Sequence, residues 1–196
     1  MNNEITVKIN CSTQEMCKIL ENKGFSMVDK YDLEDIYYIK KNLDIKKQPI
    51  KEIFKKYILI RSVTQYLPNN FVISNNIIKL TVKNKDIETN GTITRQEKKD
   101  CQIQNIKQGK EFLHALDYRE LMTIKEKAIV YGKGELKLVI KDVYNSDNLI
   151  EIETVDGNRD LDTTEKLKEK LNELNIPVNT NDYFVKKAEN VLKKLI

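Results

Sequence analysis

Apolar and polar positions alternate strictly over residues 4–9. Glu4, Thr6 and Lys8 lie on one side and Ile5, Val7 and Ile9 on the other, the period-two signature of a strand with one buried face. The period then changes. Ser12 and Glu15 form a capping box, and Met16, Ile19 and Leu20 follow at helical spacing until Gly24 stops the helix. Residues 25–41, rich in Phe, Val, Tyr and Ile, predict a strand region, and Pro49 opens a short helix within the charged stretch from Asp44 to Lys56. Strands are expected over Tyr57–Leu67 and Phe71–Lys85, the second interrupted by a hairpin turn at Asn75-Asn76. Asn90-Gly91 is the strongest hairpin signal and leads into a strand over 92–103. A helix over 106–116, capped by Asn105, precedes strands near 120–131, 135–144 and 148–155. Asp162 with Glu165 predicts the start of a helix through Leu167, Leu171 and Leu174 that ends at Pro177, and a last amphipathic helix spans 181 to Ile196.

Some eight strands joined mainly by hairpins predict an antiparallel sheet. In a chain of 196 residues so many strands favour closure, because a closed sheet has no exposed edges. The fold class expected is therefore α+β: a closed eight-stranded antiparallel β-barrel with helices packed on its outside, in a single domain of residues 1–196. Periodicity leaves two orientations open. Either the apolar faces point inward and the charges are solvated, or the helices near 13–23, 106–116 and 162–195 cover the apolar faces and the charged faces line a wet interior.

Composition narrows the function classes. Against 34 basic residues stand 30 acidic ones, a net charge of +4 with no basic run, so a nucleic-acid partner is not expected. The three cysteines, Cys11, Cys17 and Cys101, have no paired spacing and predict buried free thiols in a reducing compartment. The opening MNNEITVKIN lacks the charged and apolar regions of a signal peptide, and no apolar run approaches the ~20 residues of a membrane span. A cytoplasmic location without membrane attachment is the expectation. His114 is the only histidine, which argues against a catalytic triad or a multi-histidine metal site.

Short charged segments on the strands carry the candidate chemistry. Glu151 and Glu153 point the same way, because strand side chains repeat every second residue, and Glu4 joins them if the first and last strands meet. Carboxylate oxygens of this kind suit Mg2+ or Mn2+, which bind through a few protein carboxylates, water and substrate phosphate. Lys8, Arg61, Lys83, Arg95 and Lys127 supply cations for phosphate oxygens, arginine as a fork and lysine as a point charge.

In this order the segments resemble the CYTH domain, the triphosphate tunnel metalloenzymes that include bacterial class IV adenylyl cyclases and thiamine triphosphatases. The opening E-x-E-x-K is met at Glu4 and Lys8, D-x-Y-[YF] at Asp35-Ile36-Tyr37-Tyr38, and L-R-x-R at Arg61. L-T-x-K falls on Leu80 to Lys83, R-x-E on Arg95 and Glu97, a basic strand on Lys125 to Tyr131, an acidic position on Asp142, and the closing E-x-E on Glu151 and Glu153. The resemblance implies an eight-stranded tunnel that binds a small-molecule triphosphate or polyphosphate with Mg2+ or Mn2+ and hydrolyses it, with ATP cyclisation and non-catalytic binding as alternatives. It implies Glu4, Asp142, Glu151 and Glu153 as metal ligands. Lys8, Arg61, Lys83, Arg95, Lys125 and Lys127 become phosphate ligands, and Lys8, Arg61 and Lys83 the catalytic cations. A water would attack the terminal phosphorus, with no protein nucleophile.

Two positions depart from that pattern: Thr6 stands where the middle glutamate is expected, and Leu59 where the first arginine of L-R-x-R is expected. Asp142 shares parity with Leu138 and Ile140, so a regular strand aims it at the apolar side. Tyr37 and Tyr38 cannot share a face, so one is expected under a helix. The charged segment Asn42 to Lys56 reads as a lid or as a surface insertion.

Overall fold

The computed structural model describes residues 4–67, 72–87, 93–153, 161 and 163–196, with the side chains of Ile87, Ile93, Thr94, Arg95, Gln96 and Glu153 outside that description. In chain order the elements are β1 (Glu4–Ile9), α1 (Thr13–Asn22), β2 (Ser26–Lys40), α2 (Ile50–Ile53), β3 (Lys56–Tyr66), β4 (Ile73–Ile87), β5 (Ile93–Gln102), α3 (Ile106–Ala115), β6 (Tyr118–Lys133), β7 (Leu136–Val143), β8 (Asn148–Glu153), α4 (Thr164–Glu173), β9 (Val178–Asn179) and α5 (Lys187–Leu195). The protein is α+β, and its strands form one nine-stranded sheet in the order β5-β4-β3-β2-β6-β7-β8-β1-β9. Two points differ from the expected barrel. There is a ninth strand, and among the described residues the order is open, ending at β5 and β9.

Local chemistry explains most boundaries. Ser12 accepts from the Glu15 amide at 3.2 Å and opens α1. Gly24, at φ +81°, ends it: its amide bonds Glu21 O at 2.9 Å while the Phe25 amide bonds Leu20 O at 3.0 Å, the paired bonds of a Schellman stop. Asn105 caps α3 through the Gln108 amide at 2.9 Å. The cap of α4 is Thr163, which accepts from the Lys166 amide at 3.2 Å; the expected cap Asp162 lies outside the described residues. Asn75-Asn76 forms no turn. Both sit exposed inside β4, where ladder bonds outweigh the weak local preference of asparagine for a turn. The last helix starts at Lys187 rather than near 181, because the chain before it is extended along β1: Thr6 N–H donates to Tyr183 O and Val185 N–H to Thr6 O, each at 3.0 Å.

Packing divides the chain into two compact units. The first comprises Met1–Asp32, Gln65–Ile73 and Glu126–Lys186, and the second Leu33–Thr64, Ser74–Lys125 and Lys187–Ile196. In the first unit, Ile5, Val7 and Ile9 of β1 join Leu138 and Ile140 of β7 and Ile150 and Ile152 of β8. Met16 and Leu20 of α1 and Leu167 and Leu171 of α4 cover them. Burial of each such side chain contributes about 2 kcal/mol. The helices therefore take the apolar face of this part of the sheet, and Thr6, Lys141 and Glu151 are left on the other.

In the second unit Ile36, Tyr38, Ile60 and Leu113 form a core with Ile78, Leu80 and Ile103, which α3 covers through Leu113. Tyr38 thus packs under a helix, as alternation required of one of the two tyrosines. Tyr37 points the other way, stacked on Tyr57 at 5.4 Å between ring centres and edge-on to Phe54 at 5.9 Å. Phe54 follows α2: the segment from Asn42 to Lys56 is mostly exposed, and buried Ile53 and Phe54 anchor it to this unit. The three cysteines are free, but Cys11 and Cys17 are only partly buried and Cys101 is exposed.

Candidate functional site

The face opposite the helices in the first unit is set by register. Thr6 pairs with Glu151, Glu151 with Val139, and Val139 with Val130; one step along, Lys8 pairs with Leu149, Leu149 with Lys141, and Lys141 with Ala128. Alternation puts Glu126, Ala128 and Val130 of β6 on this same face. A part-buried ion pair occupies it. Lys141 Nζ lies 2.5 Å from Glu151 Oε2, each side chain 14% exposed, and the Thr6 hydroxyl donates to the same oxygen at 3.3 Å. Glu126 is 4% exposed beside them. Burial alone pulls the Lys141 amine down, but the charges of Glu151 and Glu126 and the bond to Glu151 more than offset it, so its net shift is upward and it stays an ammonium.

The second unit holds a different arrangement. Asp35, 1% exposed, accepts a fork from Arg61: Nε to Oδ1 at 2.6 Å and Nη2 to Oδ2 at 2.6 Å. Lys187, at the start of α5, stands 3.8 Å from Oδ2. Burial pushes the Asp35 carboxyl up, but the Arg61 bonds and the charges of Arg61, Lys187 and Lys83 outweigh it and hold it below the ordinary carboxylate range. Nearby on β4, Thr81 is fully buried and donates to Asp100 Oδ1 at 2.8 Å, while Lys79 and Lys98 reach Asp100 Oδ2 at 3.0 Å each. Burial raises Asp100, but those bonds bring it to about 2. Leu59 is completely buried, two positions before Arg61 and on its face of β3.

The remaining expected residues fall as follows. Glu4 is exposed and its register partner is Glu153, whose side chain lies outside the described residues. Lys8, 47% exposed, pairs with Asp147 at 2.7 Å. Asp142 is exposed and opposes Lys127 and Asn148; β7 runs without a bulge there, so Asp142 points away from Glu151. Lys125 and Lys127 are also exposed, on the face of β6 opposite buried Glu126, and Lys125 pairs with Glu34 at 3.4 Å. These three therefore do not join the charged cluster: a strand sends neighbouring residues to opposite faces, and the members that point inward are Lys141 and Glu126. Arg95 opposes Asp86 in the β4–β5 ladder, with its side chain outside the described residues. Lys141, Glu126, Asp100 and Lys187 were not singled out from sequence, although parity with Val139 could have pointed to Lys141.

Mg2+ or Mn2+ takes oxygen donors, and Glu4, Glu126 and Glu151, with Glu153 by register, are of the right kind. Their setting does not fit a resident ion. Glu151 already holds the Lys141 ammonium, and among the described residues no three acidic, histidine or cysteine side chains gather as a metal group. A doubly charged ion about 4 Å from that ammonium would meet a repulsion on the order of 8 kcal/mol at an effective dielectric of about 20.

No known protein family and no curated protein matches the sequence. Solved structures do match the fold. The PH1819 protein of Pyrococcus horikoshii superposes with a TM-score of 0.71 at 19% identity, covering 100% of both chains. A candidate adenylate cyclase of Vibrio parahaemolyticus gives 0.64 at 12% identity over 98% of this chain and 97% of that one. The Hippeastrum protein HpAC1, a candidate adenylyl cyclase described as having a dominant triphosphatase activity, gives 0.62 at 15% identity over 99% and 96%. At these identities the likeness shows a shared fold, consistent with the CYTH-like architecture implied by the motifs. No helix among the described residues is long and apolar enough to cross a membrane.

Proposed function

We propose that this chain binds a small-molecule triphosphate or polyphosphate on the charged faces of its sheet and hydrolyses the terminal phosphoanhydride. The observation that carries the reading is charge buried on the sheet: Asp35 at 1%, Glu126 at 4%, and the Lys141–Glu151 pair at 14% each. Burying such groups costs several kcal/mol apiece before pairing, and a hydrophobic replacement would pack as well. Retaining them suits a site for a highly charged ligand. The triphosphatase activity of HpAC1, on a shared fold, supports the same class of ligand. The closed eight-stranded tunnel implied by the motifs belongs to this proposal and not to the observed strand order.

In this reading Arg61 and Lys83 are the principal phosphate-binding cations, Lys187 adjoins them, and Arg95 of the same unit adds charge. A water oxygen bonds to the terminal phosphorus, the bridging P–O bond breaks, and the proton leaves to solvent. Mg2+ or Mn2+, where bound by the phosphates themselves, would supply charge neutralisation. Glu4, Asp142, Glu151 and Glu153 were the ligands expected for a resident ion, and the setting of Glu151 and the direction of Asp142 argue against that role for those two.

A second reading, a non-catalytic polyphosphate binder, is favoured by the buried Leu59 and by the tie between Lys141 and Glu151. One experiment separates the readings. Purified protein is titrated with tripolyphosphate and ATP by calorimetry, with EDTA and then with Mg2+ or Mn2+, while released phosphate and cyclic AMP are measured. Phosphate release supports hydrolysis, cyclic AMP a cyclase, and binding without product the binder. Absence of binding under every condition refutes the proposal.

A further inference from the structure

We infer that Lys141 is the resident cation of the acidic face formed by Glu151 and Glu126, and that this face takes up no divalent metal ion of its own. Three observations carry this. The first is contact: Lys141 Nζ is 2.5 Å from Glu151 Oε2, and the Thr6 hydroxyl holds the same oxygen at 3.3 Å. The second is register. Lys141 sits between Ala128 and Leu149 in the ladder, both buried, which sets its side chain on the Glu151 face. The third is composition of the face. Position 6 contributes a neutral hydroxyl and Asp142 points away, so one ammonium offsets much of the charge of buried Glu126 and part-buried Glu151.

Held against the Glu151 carboxylate, the Lys141 side chain supplies within the chain the positive charge that a bound metal would bring. This inference does not rest on the triphosphate reading, because it concerns metal uptake in the absence of phosphate.

The test is Mn2+ titration without phosphate, with free Mn2+ followed by electron paramagnetic resonance. Wild-type protein, Lys141→Met and the neutral pair Lys141→Met/Glu151→Gln are compared after their folds are checked by circular dichroism. Lys141→Met is expected to gain one Mn2+ site at least about tenfold tighter than any on the wild type, since removing a neighbouring unit charge relieves strong repulsion. The double variant is expected to lack that site. A wild-type Mn2+ site that the double variant loses would overturn the inference, as would a folded Lys141→Met protein that gains none. Should Lys141→Met fail to fold, the comparison of wild type with the neutral double variant decides alone: equal Mn2+ uptake by the two upholds the inference.

Discussion

Replacing Arg61 with methionine removes both bonds of the fork on Asp35 while keeping most of the side chain's bulk. Asp35 is 1% exposed and receives those bonds at 2.6 Å each, so it cannot recover the lost interaction from water. Removing one member of a buried pair typically costs about 3–5 kcal/mol. Lys187 remains 3.8 Å from Oδ2 and compensates in part, which places the expected loss near the lower end, at about 3 kcal/mol. For a chain of this size that is a fall in Tm of about 6–12 °C. Urea denaturation at neutral pH, followed by circular dichroism, measures it directly. Asp35→Asn/Arg61→Met should recover most of the loss, because no buried charge is then left uncompensated. A single-variant loss under about 1 kcal/mol, or a double variant whose cost is the sum of the two singles, would refute the reasoning.

Asp35→Asn alone releases the Arg61 fork and is expected to tighten tripolyphosphate binding in calorimetry; unchanged or weaker binding would count against Arg61 as a phosphate ligand. Lys83→Met should weaken that binding about 10- to 100-fold, the worth of one charge-assisted contact, while Lys127→Gln and Asp142→Asn leave it unchanged. On the acid side, Asp35 and Asp100 both have depressed pKa values, Asp100 at about 2. Their stabilisation is present above the ordinary carboxylate pKa and lost on acidification, for Asp100 as pH falls from about 4 toward 2, so Asp100→Asn should flatten that limb of a urea-midpoint profile. In the apolar core, Leu138→Ala, at a position with no exposure, should cost about 2–5 kcal/mol. Tyr144→Ala, 72% exposed, should stay within about 0.5 kcal/mol.

The pair at positions 141 and 142 shows how narrowly a site assignment can turn. Motif order selected Asp142 as a metal ligand, whereas strand parity had already aimed it at the apolar side. The uninterrupted ladder makes Lys141 the residue on the Glu151 face. A single step along a strand thus exchanges a carboxylate for an ammonium on that face, where Lys141 meets Glu151.

Local signals determined the elements wherever the deciding interaction lies within a few residues: the Ser12 and Asn105 caps, the Gly24 stop, and the alternation of Glu4 to Ile9 all stand in the structure as read. They also determined that charge would share one side of β1 and β8, since alternation is a property of the chain itself. Tertiary structure decided the rest. That α1 and α4 cover the apolar side in the first unit, that Asn75-Asn76 lies inside a strand, and that residues 183–185 run along β1 before α5 begins all depend on partners far away in sequence. Whether Arg61 meets Asp35 and Lys141 meets Glu151 depends on register and on burial, and the strength of both pairs comes from exclusion of water that no local pattern of residues encodes.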